Sequence, residues 1–268
     1  MLTVLSLGAG VQSTTLALMA AHGEIEPAPD CAIFADTQWE PEAVYEHLAW
    51  LRSPNVLPFP VHIVTAGNIR EAIRKRQDTS GGRFSAVPWF TINRDGSKGL
   101  AQRQCTSEYK LAPIKREIRR LLGKGTHDRI PPASVNVLIG ISLDEAHRMK
   151  PARQAYLVNC WPLVEQEVTR KDCLDWLQAN GYPRPPKSAC IGCPFRPSHE
   201  WRVMRDHQPD EWADAVAADR ELRGPAYAGL PSTYFMHPDR VPLDLVELGA
   251  GDRHLDGFGN ECEGLCGV

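Results

Sequence analysis

The spacing of the hydrophobic positions changes once within the N-terminal segment. Residues 2–7 form an apolar run rich in β-forming side chains, and residues 8–13 then read Gly-Ala-Gly-Val-Gln-Ser. Apolar residues recur at Leu16, Leu18 and Met19, and Gly23 follows as a stop signal. This change of spacing predicts a buried strand, a tight loop and a helix.

Four later apolar runs predict further strands, over residues 31–35, 61–65, 135–141 and 156–161. Helical spacing follows Pro41 and Cys105, covers residues 69–77 and 170–180, and predicts a charged helix pair over residues 198–223. Residues 78–102 combine turn residues with the aromatic pair Trp89-Phe90. We interpret the pair as exposed, in a substrate loop or a short hairpin over the site.

The loop at residues 8–13 is a candidate phosphate site. Its small residues let a ligand approach the backbone, and the N–H groups at a helix start favour an anion. Ser13 and Thr14 add hydroxyl groups at the same place. The loop is neither a Walker loop nor a dinucleotide Gly-x-Gly-x-x-Gly loop. An ordinary glycine-containing turn without a ligand is the competing interpretation.

Polar residues also follow two of the other predicted strands. Asp36 and Thr37 come after the second strand, where they could contact a ribose or an adenine edge, or simply cap the next helix. Asp144, Glu145 and Arg148 come after residues 135–141. Such groups at the carboxyl ends of parallel strands fit a ligand site. The competing interpretation is an ion pair among these residues themselves.

The chain has eight cysteines, and some of them have the spacing of metal ligands. Cys190-x-x-Cys193 followed by proline is typical of a metal knuckle, although a redox pair or two unliganded cysteines remain possible. Cys105 precedes a predicted helix, which favours its thiolate, but a small buried core residue is the alternative. Together the three predict an iron–sulfur cluster with one open iron, or an incomplete zinc site.

The other cysteines fall into two groups. Cys262 and Cys266 lie in the last seven residues, and each could be a fourth ligand, a mobile nucleophile or a residue without a role. Cys31, Cys160 and Cys173 fall in strand or helix patterns, so we predict that they belong to the core.

Composition narrows the choice of partners. The 268 residues are 43% hydrophobic and 24% charged, with a net charge of −3, as in an ordinary globular protein without a global basic field. Residues 69–77 are locally basic and compatible with nucleic acid, but a solvated helix face is the simpler interpretation. No apolar run is long enough to span a membrane, and we expect a cytoplasmic protein.

The loop resembles the Ser-Gly-Gly-x-Asp-Ser loop of the adenine nucleotide alpha-hydrolase superfamily, the PP-loop ATP pyrophosphatases. Gly10 and Ser13 match that pattern, whereas Gly8, Ala9 and Gln12 depart from it. The missing acid puts any acidic role at position 12 in doubt.

Other strings resemble the phosphoadenosine phosphosulfate (PAPS) reductase family within that superfamily. They are ADTQWEPE at residues 35–42, the Cys-x-x-x-x-Lys segment that begins at Cys105, the Asp-Glu-x-x-Arg segment at residues 144–148, the Cys-x-x-Cys pair, and the cysteine tail. Cluster-bearing members have a cysteine pair where this chain has Gln104-Cys105, so one ligand of their pattern is missing. From residue 2 to the tail, the chain is identified as a PAPS reductase-like member.

This resemblance implies an α/β fold with a five-stranded, mostly parallel Rossmann-like sheet and helices on both faces. The nucleotide-binding domain would cover residues 1–165, and a helical extension with the cysteine knuckle and tail would cover residues 166–268. The implied function is that of an adenine-nucleotide-dependent enzyme of sulfur chemistry, in which ATP adenylates an acceptor before sulfur transfer. Alternatives are a reductase of an adenylated sulfate that uses a tail cysteine, and a zinc-stabilised binding module without turnover.

The resemblance also implies cofactors and site residues. The expected cofactors are ATP or a PAPS-like nucleotide, Mg²⁺ and a [4Fe-4S] cluster, with zinc as the alternative. The acceptor would be a nucleic acid or a small molecule, and a sulfur donor or reductant would be needed. The implied nucleotide-binding residues are Ser6, Gly8, Ala9, Gly10, Gln12, Ser13, Thr14, Asp36, Thr37, Gly140 and Arg148. The implied metal ligands are Cys105, Cys190, Cys193 and Cys266, and the implied catalytic residues are Cys262, Cys266 and Asp144.

Overall fold

A computed structural model describes residues 1–77, 79 and 87–249. Its strands are β1 (Leu2–Leu7), β2 (Cys31–Asp36), β3 (Val61–Thr65), β4 (Phe90–Asn93), β5 (Lys98–Leu100), β6 (Val135–Ile139), β7 (Leu157–Cys160) and β8 (Ser232–Phe235). Its α-helices are α1 (Val11–Ala21), α2 (Glu42–Leu51), α3 (Ile69–Lys75), α4 (Ala112–Leu121), α5 (Pro162–Glu165), α6 (Arg170–Ala179), α7 (Ser198–His207) and α8 (Pro209–Glu221). A π-helix covers Thr106–Leu111, and short 3₁₀ helices cover Leu143–Arg148, Pro225–Tyr227 and Leu243–Leu245.

Five of the strands form one parallel sheet in the order β3-β2-β1-β6-β7. The central strand β1 pairs on one side with β2 and on the other with β6, so that Ser6 lies between Ile33 and Ile139. The predicted α/β fold class with a five-stranded parallel sheet is therefore confirmed.

Helices cover both faces of this sheet because successive strand residues point to opposite sides. Leu5 and Leu7 of β1 belong to one core, which α1, α2 and α6 complete. Val4 of the same strand belongs to a second core with Ile114 and Ile118 of α4. Helix α1 is buried along nearly its whole length, so its polar residues must find partners inside the protein.

A second, antiparallel sheet has the order β5-β4-β8. Its β4–β5 hairpin confirms the hairpin interpretation, but the interpretation of Trp89 and Phe90 as exposed is wrong. Both are buried, since Trp89 packs in a third core with Trp201 of α7, and Arg240 lies over the Phe90 ring. This sheet joins strands from both of the predicted domains, whose boundary at residue 165 stays a prediction.

Helices α7 and α8 are the charged pair that the sequence predicts, and α8 packs against α3. Arg70 of α3 forms ion pairs with Asp214 (2.8 Å) and Glu221 (2.6 Å) of α8. On the same helix, Arg74 pairs with Glu71 at 2.7 Å. Carboxylates therefore already compensate much of the basic character of α3.

Two of the three cysteines predicted as core residues, Cys31 and Cys173, are buried, and Cys160 is half-buried. Burial, with Asp30 and Glu117 nearby, raises the pKa of Cys31 to about 11, as expected for an inert core thiol. Within the described part of the chain, no helix has the length and apolarity needed to cross a membrane.

Candidate functional site

The carboxyl ends of β1 and β6 meet at the switch point of the sheet. From β1 the chain moves outward through β2 and β3, and it then returns to the other side of β1 as β6. Ligands of open α/β sheets bind in the crevice at such a point. The crevice here lies between residues 8–13 after β1 and residues 140–148 after β6, which include most of the predicted nucleotide contacts.

Gly140 is required for the close approach of the two segments. A Cβ atom at this position would lie 2.8 Å from both the backbone N and the Cα of Ser13. Real Cβ atoms do not come so near to backbone, and a backbone atom cannot rotate away as a side chain can. The sequence therefore needs glycine here to bring the β6 end against the loop.

The loop after β1 has the geometry of a tight strand-to-helix turn. Ala9 has a φ of 58°, and Gly10 is extended at the start of α1. The Ser13 hydroxyl accepts a hydrogen bond from the Gly8 N–H at 3.2 Å. In the described structure no side chain caps α1, and its first turn has no acidic residue. The N-terminal end of a helix carries the positive end of its dipole, which favours an anion at this turn.

Side chains from three segments converge beside this loop. The Arg170 guanidinium donates to the Gln12 side-chain oxygen at 2.5 Å, and the Gln12 amide nitrogen lies 3.4 Å from the Ser142 hydroxyl. Asp144 accepts from the Arg170 backbone N–H at 2.8 Å. Gln12 and Ser142 are buried, whereas Asp144 is exposed and Arg170 half-buried, so the last two form the solvent side of the cluster.

Two other predicted contacts lie deeper. The Thr14 hydroxyl is 3.0 Å from the His47 Nε2 atom, and burial lowers the pKa of His47 to about 4. The ring is therefore neutral at physiological pH. The Ser6 hydroxyl is buried and has no hydrogen-bond partner in the described structure. The contact with His47 thus holds Thr14 and α1 in place, and Ser6 lies inside the sheet.

Arg148 is engaged by a neighbour. Its guanidinium forms an ion pair with Glu145 on the same 3₁₀ turn, and both side chains are largely buried. This is the pairing that the sequence left open as an alternative to a phosphate contact. A phosphate ligand would have to share Arg148 with Glu145, so the role predicted for Arg148 stays a prediction.

At the end of β2, Asp36 and Thr37 have separate partners. The Asp36 carboxylate accepts from the Gln38 N–H at 2.7 Å and from the Tyr45 hydroxyl at 2.9 Å. Burial, and then this bond to Asp36, raise the pKa of Tyr45. Thr37 instead donates to Glu40 at 2.8 Å and turns toward the cysteines.

Cys105, Cys190 and Cys193 line one cavity of about 40 Å³. Its lining also includes Thr37, Trp39, Ile69, Val87, Pro88, Arg103, Thr106, Lys110, Gly192, Pro194 and Phe195. Most of this surface is apolar, and the π-helix that follows Cys105 forms one wall. Because π-helices are rare and occur frequently at functional sites, this wall supports a functional role for the cavity.

Two polar side chains lie against Cys190. The Cys190 sulfur atom is 3.3 Å from the Thr37 hydroxyl and 3.5 Å from the Glu40 carboxylate. Lys110 approaches the same carboxylate at 4.0 Å. Burial, and then the charge of Glu40, raise the pKa of Cys190 well above its usual value. Burial beside Glu40 therefore favours the neutral thiol of Cys190 over its thiolate.

The Cys-x-x-Cys turn is fixed by close packing. A Cβ atom at Gly192 would lie 2.1 Å from the Trp39 ring and 2.9 Å from the Met236 side chain. Trp39 is itself held, since its indole N–H donates to Asp214 at 2.5 Å. The turn therefore depends on glycine between its two cysteines.

The thiols do not form a metal site in the structure as described. Within residues 1–77, 79 and 87–249, no three or more His, Cys, Asp or Glu side chains are grouped so that they could hold a metal ion. The cavity is also small for a cluster, since its volume is only a few times the roughly 15 Å³ that one water needs. Cys262 and Cys266, the predicted nucleophiles and fourth ligand, lie outside the described residues.

One hydrogen bond connects the loop to the cysteine segment. The Ser188 hydroxyl, two residues before Cys190, donates to the Gly8 carbonyl oxygen. Thr37 makes a second link, because it follows β2 and contacts Cys190. The crevice and the cavity are therefore neighbours at the same edge of the sheet.

Sequence reasoning missed Arg170, Glu40 and Ser188 as site residues. The sequence predicts Arg170 only as the start of a helix. Its contact with Gln12 leaves no local signal, because the two residues are 158 positions apart in the sequence. Glu40 is part of the ADTQWEPE string, where an acid inside an otherwise buried turn could have been noticed.

No family model matches the sequence, and no match is found among curated proteins. Among solved structures, the chain is similar to the crystal structure of phosphoadenylyl-sulfate (PAPS) reductase from Candida auris in a phosphate complex. The two chains are 14% identical, the match covers 68% of this chain and 74% of that chain, and the TM-score is 0.43. At this identity and TM-score, the likeness transfers no residue role to this chain.

Proposed function

We propose that the protein is an adenine-nucleotide-dependent enzyme of sulfur chemistry. The observation that carries this proposal is the contact between the two halves of the site. Through Ser188, the segment that bears Cys190 and Cys193 is hydrogen-bonded to the Gly8 carbonyl of the candidate phosphate loop. A nucleotide bound in the crevice would therefore lie next to a cavity lined by three thiols.

The nucleotide phosphates would bind at the start of α1, between the loop and the end of β6. The helix dipole and backbone N–H groups favour an anion there, and Arg170 on the solvent side would add a charge-assisted hydrogen bond. Mg²⁺ would arrive with the phosphates, as it usually does in nucleotide sites. Asp36 and Thr37, at the end of the neighbouring strand, would lie on the nucleoside side.

The reaction would have two steps. An oxygen of the acceptor attacks the α-phosphorus of ATP, the bond between the α-phosphorus and the bridging oxygen breaks, and pyrophosphate leaves with that electron pair. The outer sulfur of a persulfide donor then attacks the activated carbon, and AMP leaves with its oxygen. A second thiol attacks the inner sulfur of the donor, the S–S bond breaks, the product keeps the outer sulfur as a thiolate, and the donor and the second thiol remain joined as a disulfide. Positive charge at Arg170 would stabilise the negative charge that develops on the phosphates in the first step.

The cavity would serve the second step. Its apolar lining excludes water from a sulfur intermediate. Lys110 and Glu40 provide a buried charged pair beside Cys190, where a proton can be exchanged with a thiol. The persulfide donor needed for the transfer would have to enter this cavity.

An iron–sulfur cluster held by Cys105, Cys190, Cys193 and Cys266 is the finer form of the proposal. Held by Cys105, Cys190 and Cys193 alone, such a cluster would supply an open iron able to hold sulfur, whereas Cys266 as a fourth ligand would close that position. The described thiols are not grouped as ligands, so no step above depends on it.

Metal and sulfide analysis of protein purified without air tests this finer form. About four iron and four sulfide per chain would support the cluster. Cys190→Ser should then strip the metal, and Cys31→Ser should retain it. One zinc without sulfide would contradict the cluster.

Binding of ATP to the full chain, measured by calorimetry, tests the nucleotide site. Arg170→Ala should weaken binding by roughly 10- to 100-fold, because one charge-assisted hydrogen bond to phosphate is lost. Lys171→Ala is the matched control, since Lys171 is next on the same helix and highly exposed. Equal affinity for wild type and Arg170→Ala would contradict the proposed phosphate position.

A further inference from the structure

A second concave site, the basic groove, lies on the other side of the π-helix from the cysteine cavity. It has a volume of about 180 Å³ and is formed by the π-helix, the start of α4, residues 150–154 and strand β7. Its lining residues are Ser107, Leu111, Ala112, Lys115, Lys150, Pro151, Ala152, Arg153, Gln154, Leu157 and Asn159.

The groove concentrates positive charge. Lys115, Lys150 and Arg153 line it, and no carboxylate does so among the described residues. None of the three cations forms an ion pair within the part of the chain that the structure describes. Burial lowers the pKa of Lys115, and the nearby charge of Arg153 lowers it further. The folded chain thus holds mutually repelling charges that a bound anion would relieve.

The locally basic helix α3 is different. Arg70 is held by Asp214 and Glu221, and Arg74 by Glu71. A polyanion would have to displace these carboxylates before it could use α3. The structure therefore favours the groove over α3 as the place where phosphates bind.

The groove also offers hydrogen-bonding groups. Asn159 donates to the Lys150 carbonyl at 2.9 Å, while its own side-chain oxygen is buried and has no partner in the described structure. A buried oxygen without a donor is costly, and a ligand hydroxyl would satisfy it. Ser107 and Gln154 add neutral polar groups along the same surface. Cations beside hydroxyl-binding groups suit a sugar–phosphate chain.

The position of the groove connects it to the thiols. The π-helix separates the two sites, since Thr106 and Lys110 line the cavity whereas Ser107 and Leu111 line the groove. A chain lying in the groove could therefore present a neighbouring group to the cavity across a single turn of backbone.

We propose that the basic groove binds the sugar–phosphate backbone of a nucleic-acid strand, the acceptor of the sulfur chemistry. The identification as acceptor rests on the proposed function, whereas phosphate binding in the groove does not.

Fluorescence anisotropy of a labelled single-stranded RNA with the full chain tests the groove. In Lys115→Ala/Lys150→Ala/Arg153→Ala, binding should weaken at least about 30-fold, and the slope of log affinity against log salt should fall by about 2, at roughly 0.7 per lost contact. If the triple variant folds poorly, the double variant Lys150→Ala/Arg153→Ala replaces it, because both residues are exposed. Its RNA affinity and its salt slope should both fall as well.

The matched control removes the same charge elsewhere. Arg74→Ala/Lys75→Ala/Lys171→Ala changes three exposed, carboxylate-paired cations and should leave RNA affinity within about twofold of wild type. Equal loss in both triple variants would mean that only net charge matters and would overturn the proposal, as would absence of RNA binding by wild type. Arg170→Ala should lose ATP affinity but keep RNA affinity, so failure of the nucleotide site and failure of the groove can be distinguished.

Discussion

The crevice and the cysteine cavity are neighbours, but they are built in opposite ways. In the crevice, polar side chains from distant segments satisfy one another, as half-buried Arg170 does with buried Gln12, and Gln12 with buried Ser142. The cavity is mainly apolar, and its few polar groups are concentrated on one thiol, Cys190. In the proposed function, the first arrangement would hold a charged ligand in a fixed place, and the second would keep water from a reactive sulfur.

The two regions also tolerate change differently. The crevice depends on backbone approach at Gly140, and the cavity depends on a glycine packed against the Trp39 ring. Damage to the crevice should therefore appear first in nucleotide affinity, and damage to the cavity in thiol chemistry. The predictions below test whether the regions separate in this way.

Gly140→Ala should have the largest effect. The added methyl group meets the Ser13 backbone, so the loop must shift, which should abolish measurable ATP binding and lower the free energy of unfolding by about 1–3 kcal/mol. Gly192→Ala meets Trp39 instead and should cost similar stability while ATP still binds. Calorimetry and urea unfolding measure the two effects, with Gly249→Ala as the control because nothing lies within 4 Å of its Cβ position. Retained ATP affinity in Gly140→Ala would show that nucleotide binding does not depend on the close approach of the two segments.

The buried contact between His47 and Thr14 of α1 should make the free energy of unfolding fall in acid. Its pKa is about 4 in the folded protein against 6.5 as a free group, so the unfolded chain takes up the proton first. The stability that depends on neutral His47 is complete above pH 6.5 and is lost as the pH falls toward about 4.

Urea unfolding of wild type and His47→Gln, compared at about pH 7.5 and about pH 4.5, measures this contribution. Wild type should lose roughly 2–3 kcal/mol more than the variant over that interval. Equal losses in the two proteins would show that His47 does not titrate as its buried position requires.

Arg148→Ala should have the smallest effect of the series. Glu145 already holds the guanidinium, so the variant should weaken ATP binding only about threefold, well below the effect of Arg170→Ala. Titration calorimetry of both variants gives the order directly. A larger loss of ATP affinity in Arg148→Ala than in Arg170→Ala would indicate that the main phosphate contact lies on the β6 side of the crevice and not on the α6 side.

Local patterns predicted the fold well because strands, helices and caps depend on nearby residues. The helix predicted over residues 170–180 is α6, which Thr169 caps together with Asp172, and Gly181 follows in the left-handed region. Strand β8 and its pairing with β4 were not predicted, because that contact joins residues about 140 positions apart in the sequence. The burial of Trp89 was missed for the same reason, since Trp201 comes from a distant helix.

The candidate site was only partly predictable. Loop residues such as Gly10 and Ser13 could be proposed from local spacing, and Cys105, Cys190 and Cys193 were expected to come together, as the cavity has them. The grouping of these thiols as metal ligands stays a prediction. Partners that arrive from remote segments, such as Arg170 beside Gln12, leave no local signal.

A nucleotide site next to a thiol site is the basis of the proposed function, and cysteine alkylation is its sharpest test. Full-chain protein would be treated with iodoacetamide with and without saturating ATP, and each cysteine would be followed by peptide mass spectrometry. ATP should slow the labelling of Cys105 and Cys193 and leave half-buried Cys160 unchanged. Arg170→Ala should need roughly 10- to 100-fold more ATP for the same protection. Bound ATP without any protection of the cavity cysteines would contradict the account.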